Sequence, residues 1–62
     1  MKNTFKIGDK IYCKVETSYE YFSIYDIIID IDYCGNFITR EWFHIEPENC
    51  RHVSKLEDVL YF

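Results

Sequence analysis

The sequence predicts an all-β fold, a small five-stranded antiparallel barrel with one short helical turn near the C-terminus, on the strength of three observations. The first is the run Tyr21 to Tyr33, YFSIYDIIIDIDY, in which only Ser23 and three aspartates interrupt Ile, Tyr and Phe. Those apolar side chains suit a pleated, half-buried surface. The second is alternation: Asp26, Asp30 and Asp32 occupy even positions, while Tyr21, Tyr25, Ile27, Ile29, Ile31 and Tyr33 occupy odd ones. A period of two separates an acidic face from an apolar face expected to line the core. The third is the turn signal Tyr33-Cys34-Gly35-Asn36 at the end of the run, because Gly and Asn tolerate the positive φ angles of tight hairpins.

The remaining elements follow in chain order. From Phe5 to Val15 the residues alternate, with Phe5, Ile7, Ile11, Cys13 and Val15 on the odd face and lysines on most of the even one; Gly8-Asp9 marks a turn or bulge. Glu16 to Glu20 is polar and reads as a loop before the long strand. Phe37 to Ile45 is the third strand, with Phe37, Phe43 and Ile45 on one face and Ile38 and Trp42 on a wetter one shared with Arg40 and His44. Pro47-Glu48-Asn49 breaks it, and Cys50 to Val53 is a short fourth strand. Ser54-Lys55-Leu56-Glu57 matches a capping box, which opens a helical or 3₁₀ turn and leaves Val59 to Phe62 as either strand or helix.

Sixty-two residues make one domain. A chain of this size buries only about 60% of its unfolded surface, so a dense core, disulfides, a metal or oligomerisation must help. Six Tyr, five Phe and one Trp exceed what so small an interior can enclose. Some rings therefore lie outside and favour a partner or a second copy, and a homodimer is expected. Cys13, Cys34 and Cys50 are an odd set, and the segment MKNTFKIGDK has no apolar core of a signal peptide. Both point to a reduced, cytoplasmic protein. No apolar stretch approaches the roughly 18 residues of a membrane span.

The net charge of −4 is unevenly spread. Residues 1–14 carry Lys2, Lys6, Lys10 and Lys14 against Asp9, whereas residues 15–62 carry only Arg40, Arg51 and Lys55 against ten acids. An acidic body suits a phosphate backbone poorly, so nucleic acid is disfavoured, and the lysines are expected to pair across strands with the aspartates of the long run.

Phe5-x-x-Gly8-Asp9-x-Ile11, the long second strand, the tight hairpin and the turn before the last segment resemble the layout of Src-homology-3-like small barrels, including Tudor, chromo-barrel and KOW domains. The resemblance covers nearly the whole chain but rests on layout and one short opener. It implies a barrel with a single 3₁₀ turn, placed at Ser54–Glu57, before the final strand. Tudor members bind methylated Lys or Arg in aromatic cages. Tyr12, Tyr19, Tyr21 and Trp42 are the residues that would supply one, but Asp32 to Asn36 lies one hairpin too early for the Tudor segment.

Two spacings touch metal chemistry. Asp30-x-Asp32-x-Cys34-Gly35 with Glu41 reproduces calcium-loop positions, but Cys34 replaces an oxygen ligand and the flanks are strand-like. Cys34, His44, Cys50 and His52 lack the close cysteine pair of structural zinc sites, leaving Cys50 and His52 as a partial set. No cofactor is expected. There is no glycine-rich phosphate loop, and so small a barrel hardly encloses a substrate cleft, which argues against an enzyme.

The expected function is therefore a non-catalytic protein-binding module. In size, acidity and aromatic content the chain resembles phage or mobile-element accessory proteins that inhibit host defence or nucleic-acid-processing proteins. Asp26, Asp30, Asp32 and Glu41 are expected to meet a basic partner surface, with Trp42, Tyr12 and Tyr21 as aromatic anchors. The alternatives are a nucleic-acid-associated barrel using the lysine-bearing first strand and a calcium- or zinc-dependent domain.

Overall fold

The computed structural model describes residues 4–62; Lys2, counted in the basic segment, lies outside them. Four strands form one antiparallel sheet: β1 (Lys10–Glu16), β2 (Tyr21–Ile31), β3 (Phe37–Thr39) and β4 (Cys50–His52), in the order β3-β2-β1-β4. A 3₁₀ turn (Pro47–Asn49) precedes β4, and a helix, α1 (Lys55–Tyr61), closes the chain. Of the two readings left open for Val59–Phe62, the helix is observed: 59–61 belong to α1 and Phe62 caps it, so the expected fifth strand is not formed there and the sheet does not close into a barrel. The single 3₁₀ turn falls at Pro47–Asn49, because proline presets its first residue, while Ser54–Glu57 starts an α-helix.

Gly8 (φ +98°) turns the chain into β1. Lys10 then pairs with Ile27, and the register runs to Glu16 opposite Tyr21. Thr17–Glu20 joins the strands, closed by the Thr17 amide to Glu20 O at 2.8 Å. This four-residue connection puts odd positions of β1 opposite even positions of β2, as in Ile11↔Asp26 and Cys13↔Ile24. Directly opposed residues share a face of the sheet. The odd face of β1 does build the core, with Ile11 and Cys13 fully buried. As far as Ile28 the core face of β2 is therefore the even one, carrying Asp26 and Ile28, and the expected apolar face of odd residues points outward there. Past the register shift the odd Ile31, opposite the buried Phe37, packs against the core. Ile29 and Tyr33 are exposed.

β2 serves two partners. Its first part pairs with β1, and from Ile28 it pairs with β3, with a register shift between Ile28 and Asp30. The hairpin back to β3 is capped by Asp32, whose Oδ1 accepts the Cys34 and Asn36 amides at 2.9 Å each. Gly35 has φ +90°, as the turn signal required.

The expected strand from Phe37 to Ile45 folds back on itself. Thr39 N donates to Trp42 O at 2.8 Å, and Phe37 and Ile45 exchange two bonds of 2.8 and 3.0 Å. One extra residue therefore lies on the returning arm, where His44 takes φ +59°. Phe37 and Ile45 reach the core with Ile11, Cys13 and Ile28, but Phe43 is swung outward. Phe5 packs edge-on to Phe37 at 5.0 Å and stacks on His52 at 4.5 Å.

α1 lies over the outer face. Its cap has both halves of the expected capping box: Glu57 N donates to Ser54 Oγ, and Ser54 N donates to Glu57 Oε1. Seven residues are too few to form a stable isolated helix, so α1 depends on this cap and its docking. Replacing Ser54 with Ala is expected to cost about 1 kcal/mol of global stability in urea unfolding, with a matching loss of helical signal at intermediate urea if α1 frays first.

Candidate functional site

The residues expected to form one acidic surface are dispersed. The Asp26 side chain is 2% exposed and meets Arg40 Nε at 2.9 Å. It also accepts the Ile27 amide at 2.7 Å and the Glu41 amide at 3.3 Å. It is thus an internal anchor for the Arg40–Glu41 turn. Asp30 is exposed and accepts only the neighbouring Ile31 amide at 2.8 Å. Asp32 is spent on its hairpin, with His44 Nδ1 3.6 Å from its second oxygen. The β1 lysines do not stand opposite these aspartates: Lys14 faces Ser23, and Lys10 stands opposite Ile27 and reaches Asp58 of α1 at 2.7 Å.

Burial would raise the Asp26 pKa, but the bonds from Arg40, the Ile27 amide, the Thr39 hydroxyl and the Glu41 amide outweigh it. They hold the carboxyl below its usual value of 3.8. The Thr39 hydroxyl also donates to Trp42 O at 3.3 Å and accepts the Trp42 amide at 3.1 Å.

Tyr12 belongs to a second assembly, the seat of α1. Glu57 takes both Arg51 terminal nitrogens, at 2.8 and 2.9 Å, and accepts the Tyr25 hydroxyl at 2.8 Å. The Arg51 guanidinium lies 4.4 Å from the Tyr12 ring centre, and the Tyr12 hydroxyl donates to Ser23 at 2.8 Å. The bond to Glu57 pushes the Tyr25 phenol up to about 12. Arg51 first, then the Ser54 amide and Tyr25, hold the Glu57 carboxyl far below its usual range. Sequence reasoning missed Arg51, Glu57 and Tyr25 as a group, because they come from three elements with no shared local spacing.

Neither metal set comes together. Among the described residues no three His, Cys, Asp or Glu side chains gather where an ion could be held. The Asp32 oxygens serve the hairpin, Glu41 lies beside Asp26, and His52 Nε2 meets Asp9 at 3.0 Å. The Cys50 sulfur instead approaches that of Cys13.

The surface feature with binding geometry is a cleft of about 340 Å³ between the end of β1 and the folded-back arm. Trp42, Phe43 and His44 supply its rings, Glu16 and Glu46 its acids, and Lys14 and Asn49 also line it. Trp42 is half-buried against Phe22 at 5.3 Å, whereas Phe43 is exposed. Of the expected anchors, Trp42 is here; Tyr21 is exposed on β2, and Glu41 is exposed at the turn beside Trp42. A second cleft of about 320 Å³, lined by Tyr12, Glu48, Cys50 and Arg51, shares Lys14 and Asn49 with the first. No family model, curated protein or solved structure matches the chain. Among the described residues no helix is long and apolar enough to cross a membrane.

The Asp26 anchor has a pH signature. Its folded-state pKa is depressed, so its contribution is complete above the usual carboxylate value and is lost as pH falls through the folded value. Asp26→Asn is expected to cost about 2 kcal/mol at pH 7. That gap to the natural protein should narrow below about pH 4 in urea titrations. Arg40→Ala leaves the buried carboxylate without its cation and should cost about 2–3 kcal/mol, short of a fully buried pair because Arg40 is half in water.

Proposed function

We propose that this protein is a non-catalytic protein-binding module that receives a basic side chain of its partner in the Trp42–Phe43 cleft. The supporting observation is the imbalance of its apolar residues. Among those described, five hydrophobic side chains form the buried core, while eleven large ones are exposed. A surface with more large apolar groups outside than inside favours a partner. The cleft adds direction: aromatic faces attract cations, and Glu16 and Glu46 supply opposite charge. Glu41, exposed at the turn next to Trp42, extends that negative character beyond the cleft, in place of the continuous acidic stripe.

On this reading the chain acts sterically, inhibiting or sequestering a host protein in the manner of a phage-type accessory protein in the host cytoplasm. The Src-homology-3-like assignment belongs to the same proposal. Counting the Ile45 bridge as a rudimentary strand gives five, in the order Ile45-β3-β2-β1-β4. The 3₁₀ turn then stands before the last strand, as that layout requires.

The test is affinity capture by the natural protein and by two surface variants, Phe43→Ser and Glu16→Lys/Glu46→Lys, followed by a measured Kd for the purified target. The variants should weaken binding at least about tenfold, equivalent to roughly 1.4 kcal/mol, with affinity falling as salt rises. Equal retention by all three proteins would refute the cleft. Mass measurement of the isolated chain tests self-association, and a dimer unaffected by Phe43→Ser would place its contact elsewhere.

A further inference from the structure

We propose that Cys13 and Cys50 form an oxidation site that closes to a reversible disulfide by exchange with a small-molecule disulfide of the glutathione type. The two cysteines are direct partners in the β1–β4 register, and their sulfurs lie 2.7 Å apart. The register also sets the kind of pair. Val53 N donates to Lys10 O, so 10/53 and 12/51 are the hydrogen-bonded positions and 13/50 falls on a non-hydrogen-bonded one. The Cys50 amide accordingly goes to Pro47 O instead. At such positions the Cα atoms approach to about 4.5 Å and the side chains are closest. This lies within the roughly 4.4–6.8 Å that a disulfide spans. No strand need move.

The partners are also unequal in access. Cys13 is fully buried, while Cys50 is only partly buried and lines the second cleft beside Tyr12, Lys14 and Arg51. In the dithiol the two sulfurs share one hydrogen bond, and with Cys50 S–H directed to Glu46 O at 3.5 Å, Cys13 is the donor in it. The bond from Cys13 favours the Cys50 thiolate and lowers its pKa, while the same bond and burial raise that of Cys13. Cys50 is therefore the attacking sulfur and Cys13 the resolving one.

In the first step the Cys50 thiolate bonds to one sulfur of the disulfide and expels the other as a thiolate. Cys13, giving its proton to a released thiolate, then attacks the Cys50 sulfur and expels the second thiol. Two protein thiols are oxidised to one disulfide, the small disulfide is reduced to two thiols, and both cysteine protons end on those products. Cys34 is exposed on the hairpin and takes no part.

The test equilibrates the full chain in buffers of reduced and oxidised glutathione, quenches with acid and alkylates under denaturing conditions. Peptide mapping of the oxidised form should show Cys13 linked to Cys50 and only Cys34 alkylated, with dithiothreitol restoring three alkylated thiols. The linked chain should melt on the order of 10 °C higher, because a loop spanning 37 positions is closed in the unfolded state. Cys34→Ser should form the same link, and Cys50→Ser should retain both remaining thiols. Full alkylation of all three cysteines in oxidising buffer would overturn the proposal. So would a link involving Cys34, or a glutathione adduct at Cys50 that Cys13 never displaces.

Discussion

The buried carboxylate of Asp26 is the constraint around which this small sheet is arranged. It stands in β2 just before the strand passes from its pairing with β1 to its pairing with β3. Its two oxygens draw in Arg40 and the Glu41 amide, which turns the chain after only three residues of β3. That turn brings Ile45 back beside Phe37 and swings Phe43 outward. The core, the short third strand and the cleft thus share one polar centre. A buried charge is retained at a desolvation cost, and this one is offset by a cation and several hydrogen bonds.

The element sequence was largely legible, and the facing of β2 was not. Alternation located β1 and β2, Gly35 the hairpin, Pro47 the break, Cys50 the last strand and Ser54 the helix cap. Facing depended on how many residues separate the paired ends of β1 and β2. Glu16 and Tyr21 are joined by four residues, so the two strands have opposite parity. With the odd face of β1 inward, the even face of β2 had to follow along their pairing, aspartate included, until the register shift after Ile28 returned Ile31 to the core side. An isolated strand shows two faces and does not say which is wet; an ion partner fourteen residues away can reverse the apparent choice. The fold-back after Thr39 was hidden for a related reason. No Gly or Pro marks it; the Thr39 hydroxyl, which accepts the Trp42 amide at 3.1 Å, and the buried Asp26 carboxylate select it together.

The same internal pairing changes how the charge is displayed. Lys10, Arg40 and Arg51 each meet an acid within the chain. These pairs remove equal numbers of both signs, so the net −4 is carried by a surface poorer in cations than composition implies. Glu16 and Glu46 line the cleft against a single Lys14, with Glu41 exposed at the turn next to Trp42. The sequence showed that the chain is acidic; only the pairing showed where the acid is left over. The aromatic rings divide similarly, with Tyr12 and Tyr25 holding the helix and Trp42 and Phe43 facing the cleft.

α1 contains no buried residue. Its attachment is made of the Glu57 cluster, the Lys10–Asp58 pair and the stacking of Tyr61 on Tyr25 at 4.1 Å. Lifting it away gives up surface contacts while the Ile11–Ile28–Phe37 centre stays intact. The chain therefore has two levels of cooperativity. Amide hydrogens of the helix exchange with solvent through a local opening of low free energy, and those of β1 and β2 wait for unfolding of the sheet.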